Sequence, residues 1–243
     1  MGNREQQTSG SLEPKESAQC SATILVSAYE ESLNHDLRWA LSEGSRHFEQ
    51  DSAVFKALNN ISQRLKSLGI SYAVVGGMAL FKYGFRRFTE DVHVLVTNDD
   101  LKRIHHELEG RGYLPLFKNS KNLRDTESGV SIEFLITGGY PGDGKPKPVA
   151  FPDPRTVASE TDGISYINVP TLVELKLASG MTSAARLKDL ADIQELIKVL
   201  DLHDDFADQL NPFVRATFVE LWNGAMNSTD AESDSWGDRD SQS

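Results

Sequence analysis

Residues 74 to 96 read VVGGMALFKYGFRRFTEDVHVLV. Two apolar runs, Val74-Val75 and Val92 to Val96, flank a glycine pair, and thirteen residues separate Gly77 from Asp91. A glycine pair after a buried strand lets the backbone approach a ligand closely, and N–H groups at the start of the next helix form an anion site. The same pair serves equally well as a tight strand-to-helix turn. On the second run, period-two alternation puts Asp91 and His93 on one face and Val92 and Val94 on the other.

Upstream, Asp51 to Gly69 places Val54, Phe55, Leu58, Ile61, Leu65 and Leu68 on one face at helical spacing. Asp51 or Ser52 can cap that helix and Gly69 can end it. Tyr72 to Val75 reads as a buried strand, Met78 to Tyr83 as helical turns and Val92 to Val96 as a second strand. Asn98 is the expected cap of a helix that carries Leu101, Ile104 and Leu108 and stops near Gly110.

Downstream, Tyr113–Phe117 and Val130–Ile136 are strand candidates. Within the latter, Ser131, Glu133 and Leu135 share a face, opposite Val130, Ile132 and Phe134. Glu133 is thus a lone carboxylate in an apolar strand, and its charge requires a partner or a metal. Arg86 and Arg87 are the candidate partners for a purely structural ion pair. Residues 138 to 154 form a loop rich in Gly and Pro, and within it Pro141 to Pro148 holds the backbone extended while Lys145 and Lys147 project. That segment reads either as a rigid basic flap or as a stiff surface connection. Ile164–Val169 is the last expected strand.

Beyond Pro170 the pattern is helical, first around Leu172, Leu175 and Ala178, then at Leu187, Leu190, Ile193, Leu196, Ile197 and Leu200, with a third helix over Phe206–Leu221. Strands alternating with helices and followed by an all-helical end predict an α/β or α+β fold, a small mixed sheet flanked by helices with a C-terminal helical appendage.

The chain has 243 residues, 39% of them hydrophobic, enough for one sizeable core. Its 25 Lys+Arg against 36 Asp+Glu give a net charge of −11, which argues against a broad electrostatic grip on nucleic acid or an anionic membrane. A nucleic-acid partner would have to meet a local basic patch. The lone Cys20 is compatible with a reducing compartment. The start shows no targeting signal and no apolar run approaches the roughly 20 residues that span a bilayer; the expectation is a soluble, cytoplasmic protein with no membrane partner. Residues 1–22 read as a disordered leader, 23–50 as a weakly ordered extension, 51–170 as the core, 171–225 as its helical C-terminal part and 226–243 as an acidic disordered tail. Five acidic residues against Arg239 between Asp230 and Asp240 underlie the last reading.

The order hydrophobic-Gly-Gly, a spacer, Asp-hydrophobic-His-hydrophobic and a later strand carboxylate resembles the polymerase-β-like nucleotidyltransferase superfamily. The match includes a lysine on a later helix, Lys176, and an Arg-x-Lys-Asp-x-x-Asp segment, Arg186 to Asp192, as in the stand-alone bacterial group that includes the abortive-infection toxins of toxin–antitoxin systems. The resemblance covers residues 52–200. It implies a sheet of the nucleotidyltransferase type and a catalytic and metal-binding set of Asp91, His93 and Glu133. It implies nucleotide binding by Gly76, Gly77, Arg86, Arg87, Lys176, Arg186, Lys188, Asp189 and Asp192. Mg²⁺ or Mn²⁺ would be the cofactor, a nucleoside triphosphate the donor, RNA, protein or a small molecule the candidate acceptor, and an antitoxin-like protein a candidate partner. Lys188 and Asp192 also have the i,i+4 spacing of an ordinary surface pair, the alternative expectation for this segment.

His93 departs from the superfamily pattern, which has a second carboxylate there. Mg²⁺ prefers oxygen ligands, whereas imidazole suits Mn²⁺ or Zn²⁺, so the substitution removes a negative charge and shifts the metal preference. Two readings follow: a metal-dependent nucleotidyltransferase, or a catalytically degenerate nucleotide-binding or regulatory module. His105 and His106 read as helix-surface residues, and His35, His47 and His203 show no ligand spacing.

Overall fold

The computed structural model describes residues 29–30 and 32–237. The leader 1–22, with Cys20, and residues 238–243 of the expected tail lie outside the described residues. Helix α1 (Leu37–Phe48) occupies the segment expected to be a loose extension, and it buries Glu43 and His47 against the core.

Helix α2 (Ala53–Ser67) follows the expected stripe. The Ser52 hydroxyl accepts from the Phe55 N–H at its start, satisfying one of the donors a helix leaves open. Val54, Leu58, Ile61 and Leu65 are fully buried, and each such side chain contributes roughly 1.5–3 kcal/mol. Strand β1 (Ala73–Val75) runs directly into α3 (Gly76–Lys82), and β2 (Asp91–Val96) into α4 (Asn98–Leu108). The cap of α4 is Thr97 rather than the expected Asn98: its Oγ1 accepts from the Asp100 N–H at 3.1 Å. Asn98 is the first helical residue.

Strands β3 (Tyr113–Pro115), β4 (Leu123–Asp125) and β5 (Ser131–Ile136) come next, then the short α5 (Pro154–Val157), β6 (Ala158–Thr161) and β7 (Ile164–Ile167). The seven strands form one mixed sheet in the order β3-β4-β5-β2-β1-β7-β6. Strand β2 is its hinge point, antiparallel to β1 and parallel to β5. Neither β4 nor β6 was expected. Strand β6 pairs with β7 across a two-residue turn in which Asp162 (φ 52°) and Gly163 (φ 80°) both take left-handed conformations, the geometry that Asp-Gly favours.

Helix α6 (Val169–Gly180) starts where the last strand was expected to end. Asn168 caps it and Pro170 sits in its first turn, where a missing N–H costs nothing. Helix α7 (Leu187–Leu200) packs beside it. The expected helix over 206–221 is broken: a 3₁₀ segment at Asp204–Gln209 precedes α8 (Pro212–Gly237). Pro212 biases Asn211 away from the helical region, and the Asn211 side chain accepts from the Phe213 N–H instead. The backbone of α8 continues through most of the expected tail to Gly237. The described chain is therefore a mixed sheet flanked by helices with a helical C-terminal part.

Candidate metal centre and cleft

The parallel pairing of β2 with β5 sets Asp91 across from Ser131 and His93 across from Glu133. Because successive side chains alternate, Val92, Val94, Ile132 and Phe134 go into the core on one face while Asp91, His93 and Glu133 share the other. On that face His93 Nε2 donates to Glu133 Oε2 at 3.0 Å and lies 3.4 Å from Asp91 Oδ2. One ligand atom from each of the three lies within 4.8 Å of the other two.

Burial by itself would lower the His93 pKa, but the hydrogen bond to Glu133 and the charges of Asp91 and Glu133 outweigh it and raise the value above 6.5. The same hydrogen bond holds the Glu133 carboxyl below its ordinary range. A point that draws a proton between two carboxylates is one that stabilises positive charge. Two carboxylates and one imidazole therefore fit a divalent cation, with imidazole favouring Mn²⁺ or a softer ion over Mg²⁺.

The glycine pair is built into this centre. Gly76 takes φ +66°, and a Cβ there would run into the His93 ring, 3.2 Å from Cγ and closer still to Nδ1. The missing side chain lets the imidazole turn its Nδ1 edge to the start of α3 and its Nε2 to the carboxylates. A Cβ on Gly77 would lie 2.7 Å from Thr89 Oγ1. Thr89, which was not singled out in the sequence, donates to Asp91 Oδ1 at 3.0 Å. It fixes the carboxylate with Oδ2 turned toward His93. Its position two residues before Asp91, on an extended segment, was the available signal.

The centre opens into a cleft of about 790 Å³. Its wall holds Gly76, Gly77, Arg87, Asp91, His93, Glu133, Lys176, Arg186, Lys188 and Asp189 from the sequence-expected set, together with Lys121, which was not expected. Arg86 lies apart, its guanidinium 5.9 Å from the centre of the Phe81 ring. Asp192 lies beneath the wall, buried at 3% exposure. Glu133 takes His93 as its partner, while Arg87 pairs with Asp192, Nε to Oδ1 at 3.0 Å.

Lys176 sits in a neutral quartet. Its ammonium donates to Asp189 at 2.8 Å and to Asp192 at 2.7 Å, and Arg87 shares Asp192. Ser179 completes the Asp189 carboxylate at 2.7 Å. Burial would raise the Asp189 pKa, but the Lys176 charge and these hydrogen bonds lower it below the usual value. The two cations and two carboxylates cancel, and the quartet ties α6 and α7 to the segment before β2. Lys121, Arg186 and Lys188 are different: they line the cleft and none forms an ion pair among the described residues. In the 141–148 loop, Lys147 folds back onto the Pro141 carbonyl and Asp143, which stiffens the loop, while Lys145 is exposed.

Among the described residues no helix is long and apolar enough to cross a membrane. No family model matches the chain, and no curated protein matches it. Among solved structures the chain is similar to an antigenic nucleotidyltransferase-like protein from Paracoccidioides brasiliensis, at 16% identity over 64% of this chain and 78% of that one, with a TM-score of 0.42. It is also similar to JHP933 from Helicobacter pylori, at 16% identity over 79% of this chain and 96% of that one, with a TM-score of 0.39.

Proposed function

We propose that the protein is a metal-dependent nucleotidyltransferase that moves a nucleoside monophosphate from a nucleoside triphosphate to a hydroxyl on RNA, protein or a small molecule. The observation that carries this reading is the meeting of Asp91, His93 and Glu133 in a cleft also lined by the cations Lys121, Arg186 and Lys188, none of which forms an ion pair among the described residues. A polyphosphate needs both: fixed positive charge along its length and a cation at the reacting phosphate.

In this reading Asp91, His93 and Glu133 would hold a divalent ion, which when bound would supply positive charge at the phosphoryl oxygens. Lys121, Arg186 and Lys188 bind the β- and γ-phosphates and the departing pyrophosphate. The acceptor hydroxyl oxygen bonds to the α-phosphorus as the bond to the β-phosphate oxygen breaks, with pyrophosphate leaving and the hydroxyl proton passing to water. Such transfer asks for positioning and charge rather than for a covalent role of the protein. The Lys176 quartet positions the α6–α7 side of the cleft. The finer form of the reading, supported by Lys176 and the Arg186 to Asp192 segment, is a toxin-like member of the abortive-infection group that uses Mn²⁺ in preference to Mg²⁺ and has an antitoxin-like partner.

The test incubates pure protein with each α-labelled nucleoside triphosphate, Mg²⁺ or Mn²⁺, and total RNA or protein extract, beside Asp91→Ala. Label transfer that disappears in Asp91→Ala is the expected result. Nucleotide binding with no labelled acceptor under either metal would favour a non-catalytic module instead.

A further inference from the structure

Along β5, Leu135 follows Glu133 on the same face, two residues or about 6–7 Å further on. The cleft lining takes in Leu135 near the end of that strand and, past it, Tyr140 and Phe151, with Asp143 beyond Tyr140. Leu135, Tyr140 and Phe151 are half-buried. Phe151 is held from both sides of its backbone: its carbonyl accepts from the Gly138 N–H and its N–H donates to the Gly139 carbonyl, each at 2.8 Å. A Cβ on Gly139 would lie 3.3 Å from the Phe151 ring, so the ring rests against bare backbone. The Tyr140 hydroxyl has no hydrogen-bond partner among the described residues. The stiff 141–148 loop continues this wall through Gly142 and Gly144.

An apolar, partly aromatic wall one step from a metal centre, with Leu135 and Phe151 packed against the core and Phe151 also fixed by its backbone pairing, suits a flat aromatic ligand. We propose that Tyr140, Phe151 and Leu135 form the subsite for the nucleobase of the bound nucleotide. The inference rests on the nucleotide reading above and adds where the base lies and how it is held. The base stacks on the Tyr140 and Phe151 rings while the phosphates run back along the wall toward Glu133, His93 and Asp91. Stacking works with any base, since each has a π-face.

Isothermal titration in Mn²⁺ with two ligands tests this, a non-hydrolysable nucleoside triphosphate and inorganic tripolyphosphate, the second having the charge but no base. Tyr140→Ala and Phe151→Ala are expected to weaken the nucleotide about tenfold or more and to leave tripolyphosphate binding unchanged. Tyr140→Phe, which retains the ring, and Phe151→Leu, which retains the packing, separate stacking from folding: the first keeps nucleotide affinity and the second loses it with an unchanged melting temperature. If wild type binds both ligands and the alanine variants bind the nucleotide as well as wild type does, or lose both ligands equally, the base subsite is wrong. Wild-type protein that binds neither ligand overturns the nucleotide reading and this inference with it.

Discussion

His93 Nε2 donates to Glu133 Oε2 at 3.0 Å across the parallel β2–β5 pair, in direct register. The relationship joins the one position that departs from the two-carboxylate pattern to the carboxylate that completes the centre. It also leaves the imidazole as the only nitrogen in an otherwise oxygen-donor group.

His93→Asp therefore changes the donor set without changing the strand. It supplies a hard oxygen and a second negative charge on β2, so Mg²⁺-dependent nucleotide binding tightens while the advantage of Mn²⁺ over Mg²⁺ shrinks. Titration of a non-hydrolysable triphosphate in each metal reads both effects. Indifference of both metals to the substitution would place His93 outside the metal site.

Thr89→Val removes the hydroxyl that orients Asp91 and keeps the shape packed against Gly77. Outer partners of this kind are worth about 10–100-fold in metal affinity. The expected outcome is a loss of that size in Mn²⁺ affinity, with Thr89→Ser restoring it and little change in melting temperature for either variant. Equal Mn²⁺ affinity in Thr89→Val and wild type would show that Asp91 needs no such orientation.

The alternation on β2 and β5 made this face legible before any coordinates, because burying Val92, Val94, Ile132 and Phe134 forces Asp91, His93 and Glu133 to the other side. The hairpin at β6 also has a local signal, since Asp162-Gly163 is a two-residue turn pair. Strand β4 carried no such signal. Leu123-Arg124-Asp125 is a strand because it pairs antiparallel with both β3 and β5; such partners are invisible to local propensity. The position of Lys176 was legible but its pairing was not, since the quartet joins Arg87 to Asp192 across 105 residues.

That quartet gives a stability prediction. Asp192 is almost wholly buried and serves both Lys176 and Arg87. Asp192→Ala leaves Lys176 with Asp189 and takes from Arg87 the carboxylate it pairs with among the described residues, and breaking a buried pair from one side costs about 3–5 kcal/mol. Urea denaturation is the measurement, and a loss below about 1 kcal/mol, the range of surface pairs, would show that the quartet is solvated.

His47 sets a pH dependence of definite sign. Its ring is buried among Phe48, Phe55, Phe81 and Phe88, and burial lowers its pKa below 6.5. Below about pH 6.5 the unfolded chain binds more protons there than the folded one, so this contribution is complete above that pH and declines as the pH falls toward the depressed folded value. His93, whose pKa is raised, acts with the opposite sign, so the informative quantity is the difference between wild type and His47→Gln. The stability gap between them should narrow from about pH 8 to about pH 5. A gap that stays constant across that range would mean that the buried ring titrates as it does in the unfolded chain.

In the proposed function Asp91, His93 and Glu133 hold one divalent cation against a bound triphosphate. Crystals grown with Mn²⁺ and a non-hydrolysable nucleoside triphosphate, with diffraction recorded at the manganese edge, test it most directly. The expected result is an anomalous peak within ligand distance of His93 Nε2 and of carboxylate oxygens of Asp91 and Glu133, adjoining the phosphates. A triphosphate bound in the cleft with the His93–Glu133 hydrogen bond intact and no peak between the three residues would contradict it.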